Sequence, residues 1–325
     1  MLALGLFGSP RKKGNTAFLL NAFLEEIERH GVQTQTIDVC KMNIQPCKGC
    51  AYCEKYGFCV IDDDDMRSVI YPLLRKADIV ITATPIFFYS ATAQLKALID
   101  RSQALWSRRY KFDLFDPFSK FRRGFLLSLG ATKGKNLFDG VILTTKYFYD
   151  AVNASYEGSL TYRHIENPGD MKLHPSVLED IKNAAKDLID PVLNKKRILF
   201  ACVGNTCRSQ MAGAFAQIMF GDKVDVLTGG SQPEELVNPV MEEVMREKGI
   251  DMAYRKPQSI NDAIENTPPD WIITMGCGEE CPFVPGAKVE DWNINDPAGQ
   301  PIEFMRKTRD EIEEKVKTLI PNKIK

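Results

Sequence analysis

Apolar and polar residues follow one another along the chain in two kinds of segment: short apolar runs, and longer stretches with apolar residues three or four apart. In the first half, the apolar runs predict strands at 2–7, 34–39, 78–85, 124–132 and 157–162, and the helical spacing predicts helices at 16–30, 65–76, 91–105, 136–148 and 176–193. Strands separated by helices of this length predict a parallel sheet covered on both faces. Ligands of such sheets bind at the carboxyl ends of the strands.

The same pattern starts again after the polar stretch 194–197, with a strand, a glycine turn and a helix from residue 197 onward and a closing amphipathic helix at 303–319. A length of 325 residues is comfortable for two domains of ordinary size. We therefore predict an α/β protein with two doubly wound parallel-sheet domains, at 1–193 and 197–325. The two halves share no repeated motif, which indicates a fusion and not a duplication.

Composition narrows the class of protein. A hydrophobic content of 44%, a charged content of 26% and a net charge of −1 are typical of a globular protein and give no basic excess for nucleic acid. No apolar run approaches the roughly 20 residues of a membrane helix. Nine cysteines without a secretion signal predict a reducing, cytoplasmic location, where cysteines are more often catalytic or metal-binding than paired.

The turn after the first predicted strand has the chemistry of a phosphate site. Its sequence, GSPRKKGNT at 8–16, leads into a helix whose first amides and dipole attract an anion. Ser9, Asn15 and Thr16 add neutral donors, and Arg11 adds positive charge. This combination suits a phosphate monoester; the alternative is a solvated strand–helix turn.

A second strand end, TPIFFYS at 84–90, offers proline and aromatic rings that can border a flat ring system. Together the two segments resemble the NAD(P)H-dependent FMN reductases and iron–sulfur flavoproteins of the flavodoxin-like fold, over roughly 1–190. The resemblance implies FMN phosphate on Ser9, Arg11, Asn15 and Thr16, isoalloxazine against Pro85, Ile86, Phe87, Phe88 and Tyr89, and Gly130 and Ala131 closing the other side. It also implies self-association through this domain.

Four cysteines lie close together after the second predicted strand, at Cys47, Cys50, Cys53 and Cys59. Thiolates at such spacing can converge on one soft metal centre. The spacing is similar to the compact motif of iron–sulfur flavoproteins, which implies a [4Fe–4S] cluster. Zinc and a metal-free loop are the alternatives. Basic residues at 101–123 are interpreted as a solvated face, the alternative being a site for the phosphate of NAD(P)H or for a partner.

The most specific motif is CVGNTCRS at 202–209, between a predicted strand and a predicted helix. With cysteine and arginine six positions apart, the intervening backbone can wrap an oxyanion with its amides pointing inward. Arg208 can grip two oxygens of that anion, while Cys202 supplies a thiolate nucleophile. Ser209, at the start of the helix, can donate a hydrogen bond to the thiolate.

Residues 197–325 resemble the low-molecular-weight tyrosine phosphatase fold and, within it, the arsenate reductases that cycle through disulfides. Asp296-Pro297 is followed by no aromatic wall, and two cysteines stand at 277 and 281, so both differences favour arsenate over an aryl phosphate. The resemblance implies a catalytic site formed by Cys202, Asn205, Arg208, Ser209, Cys277, Cys281 and Asp296.

In the mechanism that this resemblance implies, Cys202 attacks arsenate, Asp296 protonates the leaving oxygen, and Cys277 and Cys281 resolve the adduct in turn. Electrons come from NAD(P)H or a ferredoxin- or thioredoxin-type donor, with the flavin domain supplying or relaying them. The rival hypotheses are a phosphomonoester hydrolase with a redox flavin domain, and a redox-responsive electron carrier.

Overall fold

The computed structural model describes residues 1–193, 195–265, 268–276 and 284–323, with side chains of the last helix described up to residue 318. Within these ranges the chain divides into two compact units. The first comprises Met1–Asp113 and Ser119–Leu193, and the second comprises Leu114–Phe118 and Asn194–Lys325. None of the helices in these ranges combines the length and apolar character that a membrane span requires.

The first unit is built on a five-stranded parallel sheet. Its strands are β1 (Leu2–Phe7), β2 (Gln33–Asp38), β3 (Ile79–Pro85), β4 (Arg123–Leu129) and β5 (Ser155–Tyr162). They lie in the order β2-β1-β3-β4-β5, all parallel, and the order reverses direction between β1 and β3. This is the flavodoxin-like order, in which the ligand crevice lies at the carboxyl ends of β1 and β3.

The helices of the first unit are α1 (Asn15–Arg29), α2 (Tyr52–Tyr56), α3 (Tyr71–Lys76, after a π-helical turn at Met66–Ile70), α4 (Ala93–Arg101), α5 (Gln103–Tyr110), α6 (Asp139–Ala151) and α7 (Val177–Ile189). α1 and α7 pack together on the sheet, around a core that includes Phe23, Ile81 and Ile181. The single helix predicted at 91–105 is divided at Ser102 into α4 and α5. The Ser102 hydroxyl donates to the Leu98 carbonyl at 3.0 Å, the carbonyl that also accepts from the Ser102 amide at 3.1 Å.

The second unit contains a four-stranded parallel sheet in the order β7-β6-β8-β9. Its strands are β6 (Lys196–Cys202), β7 (Val224–Gly230), β8 (Trp271–Thr274) and β9 (Lys288–Asp291), and its helices are α8 (Arg208–Phe220), α9 (Pro239–Arg246), α10 (Ile260–Ile264) and α11 (Ile302–Lys323). Every residue of α8 from Arg208 to Gln217 is buried, so this helix runs through the core with both sheet and α11 against it. The predicted α/β class is confirmed for both units.

A short segment from the first half of the sequence, Leu114–Phe118, belongs to the second unit. Phe115 pairs with Ile250 in a parallel bridge: its amide donates to Gly249 at 2.8 Å, and its carbonyl accepts from Asp251 at 2.9 Å. Nothing in the pattern of apolar residues predicts this pairing. The sequence-based domain bounds, 1–193 and 197–325, stay a prediction.

The interpretation of the basic residues at 101–123 as a solvated face is wrong for three of them. Arg101, Arg108 and Arg122 are 1%, 3% and 1% exposed. Arg122, for example, donates to the carbonyls of Ala77 and Val152, both at 2.8 Å. Each of these guanidiniums donates to at least one backbone carbonyl, and those of Arg101 and Arg122 donate to two or more, a demand that charge patterning cannot show.

Candidate active site

The segment after β6 holds its carbonyl groups away from the Cys202 sulfur. Carbonyls of residues 202–206 accept hydrogen bonds from amides of the neighbouring segment 231–238. The pairs are Ser231 to Cys202 at 3.1 Å, Gln232 to Val203 at 3.0 Å, Glu234 to Gly204 at 3.1 Å and Asn238 to Thr206 at 3.2 Å. Because the N–H and C=O of a peptide point in opposite directions, this ladder turns amides of the loop inward, the arrangement that binds an anion.

Two backbone features let the loop take this shape. Gly230, at the end of β7, lies so close that a Cβ there would come within 2.5 Å of the Val203 carbonyl oxygen. Asn205 has a left-handed backbone with φ of +54°, a conformation that asparagine tolerates better than most residues. The turned amide of Asn205 donates to the sulfur of Cys202 at 3.2 Å.

The two cysteines of the loop have different surroundings, although each is 2% exposed. The Cys202 sulfur lies 3.0 Å from the Ser209 hydroxyl, in addition to the Asn205 amide. The Cys207 sulfur instead contacts the hydroxyl of Thr206 at 3.6 Å, and burial raises the pKa of Cys207 to about 12. The Cys202 sulfur therefore has two hydrogen-bond partners that could favour its ionised form, whereas burial keeps the Cys207 thiol protonated at neutral pH.

Arg208 is the first residue of α8 and is 5% exposed. Nη1 donates to the carbonyls of Met275 and Ile294, at 2.8 and 2.9 Å, and Nη2 donates to Asp296 at 2.6 Å. The two carbonyls fix the plane of the guanidinium. Arg208 and Asp296 are thereby brought together at the mouth of the loop, where Asp296 keeps a side chain that is 52% exposed.

Cys277 and Cys281 lie outside the described residues. The chain immediately before them is anchored: Oδ1 of Asp291 accepts hydrogen bonds from the Thr274 hydroxyl at 2.8 Å and the Gly276 amide at 2.9 Å. Burial alone raises the pKa of Asp291, but hydrogen bonds from backbone amides and Thr274 outweigh it and lower the pKa. The carboxylate that holds residue 276 is therefore ionised at neutral pH.

In the first unit, the turn after β1 presents a helix start that no side chain caps, since the N-cap residue of α1 is Gly14. Ser9 and Thr16 are 4% and 3% exposed and lie at this turn. The side chain of Asn15 is already in use: it donates to the Asn167 carbonyl at 2.8 Å and accepts from the amides of 169 and 171. An anion here would meet Ser9, Thr16 and the first-turn amides, whereas Asn15 ties the 167–171 loop to the turn.

The segment after β3 forms a tight turn with its aromatic rings outward. Phe87 and Ser90 exchange two backbone hydrogen bonds, at 2.9 and 3.0 Å, across Phe88 and Tyr89. Both central residues are left-handed, with φ of +49° and +62°. Left-handed backbone costs an L-residue about 1–2 kcal/mol. Phe88 is nevertheless 102% exposed, so packing within the chain does not explain its place.

The loop after β4 lies against this aromatic turn. A Cβ on Gly134 would come within 2.4 Å of the Tyr89 hydroxyl, and one on Gly130 would lie 3.5 Å from Ile86. Arg163, which follows β5, donates to the Gly134 carbonyl at 2.7 Å and holds the loop in place. Segments 85–89 and 130–134 thus form two adjoining walls at the carboxyl ends of β3 and β4, beside the β1 turn, where Thr92 donates to Gly8 at 2.6 Å.

Comparison with known proteins assigns both halves. The family of low molecular weight phosphotyrosine protein phosphatases matches residues 197–325. A putative arsenate reductase of Halobacterium salinarum is 39% identical over 123 residues, which are 36% of this chain and 85% of that protein. Arsenate reductase 2 of Staphylococcus haemolyticus is 39% identical over 124 residues, which are 37% of this chain and 92% of that protein. The chain belongs to the arsenate reductase family.

In this member of the arsenate reductase family, the first unit matches a different family. The family of NADPH-dependent FMN reductases matches residues 1–118. An iron-sulfur flavoprotein of Methanosarcina thermophila is 40% identical over 133 residues, or 41% of this chain, and the chain spans 65% of that relative's length. Both resemblances stated from the sequence are confirmed.

The cysteine run of the flavodoxin-like unit is not assembled as a metal site. Within the described ranges, no group of three or more His, Cys, Asp or Glu side chains is placed to hold a metal ion. Cys47 and Cys50 are exposed, and Cys53 and Cys59 are half-buried. Burial, opposed by a hydrogen bond with Ser107, raises the pKa of Cys53. The thiols as placed do not fit a cluster.

The residues on either side of the cysteine segment are held in place by a buried arginine. Arg101 donates to the carbonyls of Gln45 and Ile61, both at 2.9 Å, so one guanidinium holds the residues on either side of the four cysteines. Asp64, 4% exposed, pairs with Arg101 at 2.5 and 3.2 Å. The sequence pattern gives no sign of this buried pair.

Replacing Asp64 by alanine leaves the Arg101 guanidinium buried without its carboxylate, and we expect the free energy of unfolding of the first unit to fall by about 3–5 kcal/mol. Hydrogen exchange of peptides from residues 1–113 during denaturant unfolding measures this unit separately. The matched control is Asp62→Ala, which removes only the exposed contact with Arg67 at 3.5 Å and should cost less than about 1 kcal/mol. Equal losses for the two variants would contradict the assignment.

Replacing Phe88 by asparagine should relieve backbone strain and weaken flavin binding. Asparagine tolerates left-handed backbone and Phe88 packs against nothing, so we expect the apo chain to gain about 0.5–1 kcal/mol of stability. Loss of an aromatic contact should weaken FMN affinity about 3- to 10-fold. Thermal unfolding and FMN fluorescence titration measure the two effects. Leu173→Asn is the control, since Leu173 is 82% exposed and lies outside the aromatic turn; unchanged FMN affinity in Phe88→Asn would argue against a flavin at this wall.

Proposed function

We propose that this chain reduces arsenate to arsenite with Cys202 as nucleophile, and that the electrons for each cycle enter through the flavodoxin-like unit. The observation that carries the proposal is the loop after β6, whose carbonyls are bonded by the segment 231–238 and whose cysteine sulfur contacts the Asn205 amide and the Ser209 hydroxyl. A loop of this kind binds a tetrahedral oxyanion beside a thiolate. Arsenate and phosphate are both such anions.

The first step forms a sulfur–arsenic bond. The Cys202 thiolate attacks arsenic(V), and one arsenate oxygen leaves as water after taking a proton from Asp296, which the structure places on Arg208 at 2.6 Å. Arg208, held by the Met275 and Ile294 carbonyls, binds the equatorial oxygens as charge builds on them. No electrons move in this step.

In the redox step, Cys277 and Cys281 supply the two electrons that reduce arsenic. The Cys277 thiolate attacks the Cys202 sulfur, a disulfide forms between them, and the sulfur–arsenic bond breaks with its electron pair on arsenic, which leaves as arsenite. Cys281 then attacks Cys277, which frees the Cys202 thiolate and leaves a 277–281 disulfide. Two thiols have lost two electrons and arsenate has gained them, so the disulfide must be reduced before the next cycle.

The flavodoxin-like unit offers a place for FMN. The uncapped start of α1 with Ser9 and Thr16 suits its phosphate, and the aromatic turn with Gly130 and Ala131 suits its ring. FMN, when bound, supplies two-electron redox chemistry, which matches reduction of one disulfide by NAD(P)H. A covalently attached reductase raises the effective concentration of reductant at the spent dithiol.

Replacing Cys277 by serine tests the arsenate reductase proposal against a phosphatase. Without Cys277 the arsenic adduct is not resolved, so multiple-turnover arsenite production should fall by at least about 100-fold. Cleavage of an aryl phosphate needs Cys202 alone and should be unaffected. In the matched variant Cys281→Ser, a single turnover should still occur and trap a 202–277 disulfide, visible by mass spectrometry. Arsenite production untouched in Cys277→Ser would exclude the relay.

The coupling of the two units has its own test. The full chain is assayed for arsenite with NAD(P)H, with and without FMN, and with a thioredoxin system in place of NAD(P)H. We expect the NAD(P)H-driven rate to require FMN and to match or exceed the thioredoxin-driven rate. A thioredoxin-driven rate that is much higher, and indifferent to FMN, would assign reduction of the dithiol to an external protein.

Three further proposals concern the first unit and the assembly. We infer that the cysteine run at 47–59 binds iron only after its thiols rearrange, which iron analysis of anaerobically purified chain and a visible spectrum would test. We infer that a ferredoxin-type protein is the alternative to NAD(P)H as donor to the flavodoxin-like unit, which arsenite assays with each donor would distinguish. Self-association through the flavodoxin-like unit is tested by light scattering of the full chain.

A further inference from the structure

A line of hydrogen bonds behind the nucleophile ends on the Cys202 sulfur. The backbone amide of Gln258 lies 3.0 Å from Oδ1 of Asn205, Nδ2 of Asn205 lies 2.8 Å from the hydroxyl of Ser209, and that hydroxyl lies 3.0 Å from the sulfur. Asn205 and Ser209 are both fully buried at 0% exposure, so water does not compete for these bonds. The line therefore has a direction that the protein alone sets.

The direction of these hydrogen bonds is set by the Gln258 backbone amide, the one group in the line that can donate but not accept. A backbone N–H only donates, so the Asn205 atom that faces Gln258 must be the carbonyl oxygen. The other end of the amide is then the nitrogen, which donates to Ser209. Because the Ser209 oxygen receives a proton on that side, its own proton is free to point at the Cys202 sulfur. A hydrogen bond to the charged form of an acid favours that form, here the thiolate.

A fourth side chain meets the line at the Asn205 oxygen. Nε2 of Gln210 lies 3.1 Å from Oδ1 of Asn205, and Gln210 is 2% exposed. If the amide of Asn205 turned over, its NH2 group would face two donors, Gln210 and the Gln258 amide, and all of these protons would be left without acceptors. A buried unsatisfied donor costs about 1–3 kcal/mol.

We propose that Gln210 is a positioning residue that locks the Asn205 amide in one orientation and so directs the Ser209 proton onto the Cys202 sulfur. This deepens the proposed function, because it concerns the same nucleophile. Gln210 touches neither the sulfur nor the anion loop's open side. Its neighbour in sequence, Ser209, makes the contact with Cys202.

The substitution that tests this role most directly is Gln210→Glu. In Gln210→Glu an acceptor replaces the donor at Oδ1 of Asn205, which favours the flipped amide. The Asn205 oxygen then faces Ser209 and takes its proton away from Cys202. In Gln210→Met one donor is lost, but the Gln258 amide still holds the orientation, so the effect is smaller. The charged side chains around the loop are unchanged in both variants: Arg208, its partner Asp296, and Glu234, whose carboxylate would lie 3.0 Å from a Cβ on Gly204.

The experiment is a double-mutant cycle between Gln210→Glu and Ser209→Ala in the full chain. The readout is the pH dependence of Cys202 alkylation by iodoacetamide, followed on the Cys202 peptide by mass spectrometry. It needs no arsenate, so it stands or falls separately from the proposed function. We expect each single variant to move the midpoint of the profile upward by about one pH unit, a tenfold loss of thiolate at a given pH.

The double variant decides the mechanism. If Gln210 acts through Ser209, Gln210→Glu adds little once the hydroxyl is gone, and the two shifts are strongly non-additive. If its carboxylate acts through space, the shifts add, and the proposal is overturned. It is also overturned if Gln210→Glu leaves the midpoint unmoved. Should the glutamate variant fail to fold, Gln210→Met carries the same cycle: its smaller shift must disappear in the Ser209→Ala background, and persistence there overturns the proposal.

Discussion

Replacing Cys202 by serine is expected to lower arsenite formation by at least about four orders of magnitude, the scale seen when a covalent nucleophile is removed. No other described sulfur has the Asn205 amide and the Ser209 hydroxyl as partners. A serine oxygen at this position neither ionises at neutral pH nor forms the disulfide that carries the electrons. Single-turnover assays with radiolabelled or mass-resolved arsenic measure the loss.

The matched control is Cys207→Ala, in the same loop and with the same 2% exposure. The pKa of Cys207 is raised to about 12 by burial, so its thiol is protonated at neutral pH and cannot compete as nucleophile. We expect this variant to keep arsenite formation within about threefold and to lose about 1 kcal/mol or more of stability from the vacated volume. Loss of activity as deep as that in Cys202→Ser would show that Cys207 takes part in the thiol relay.

Replacing Arg208 by lysine should lower kcat/KM for arsenate about 100- to 1,000-fold, the range for loss of one preorganised oxyanion donor. Lysine keeps the charge but has no planar fork, so it cannot hold the Met275 and Ile294 carbonyls and still present a second nitrogen to the anion. Most of the loss should lie in kcat, because charge on the oxygens grows in the transition state. Steady-state kinetics and phosphate inhibition separate binding from turnover.

Asp296→Asn provides the comparison for Arg208→Lys. Asparagine keeps a hydrogen bond to Arg208 in place of the 2.6 Å contact but cannot protonate the leaving oxygen. Its effect should therefore appear in the chemical step with little change in phosphate inhibition, whereas Arg208→Lys should weaken phosphate inhibition as well. If the two variants had the same profile, the separate roles given to these side chains would be wrong.

Much of the candidate site can be predicted from the sequence because its residues lie close together along the chain. The segment 202–209 places a cysteine, an arginine and a serine within one loop and one helix start, so their nearness needs no long-range contact. The turn at 8–16 is local in the same way. Asn15 is the instructive exception: its residue type suits a phosphate, but its side chain bonds a loop some 150 residues further along the chain.

The cysteine segment illustrates a second limit. The spacing allowed Cys47, Cys50, Cys53 and Cys59 to converge on one centre and left a metal-free loop as an alternative; the described structure fixes only the residues on either side of them, through Arg101 and Asp64. Whether thiols meet depends on how a loop closes around a metal, and spacing constrains only how far apart they can be. The buried arginine was invisible because a charged residue in sequence gives no sign of the carbonyls it will satisfy.

The sequence by itself determined the alternation of strands and helices and, as expectations, the two-domain organisation and the candidate nucleophile with its arginine. These follow from periodicity and from motifs whose parts are covalently close. Tertiary structure alone decided which of two equally buried cysteines has an activating partner, which arginines lie inside, and that Gln210 and Gln258 meet at one oxygen of Asn205. Such facts depend on where distant backbone amides and carbonyls point, and that direction is set only when the sheets and helices have packed.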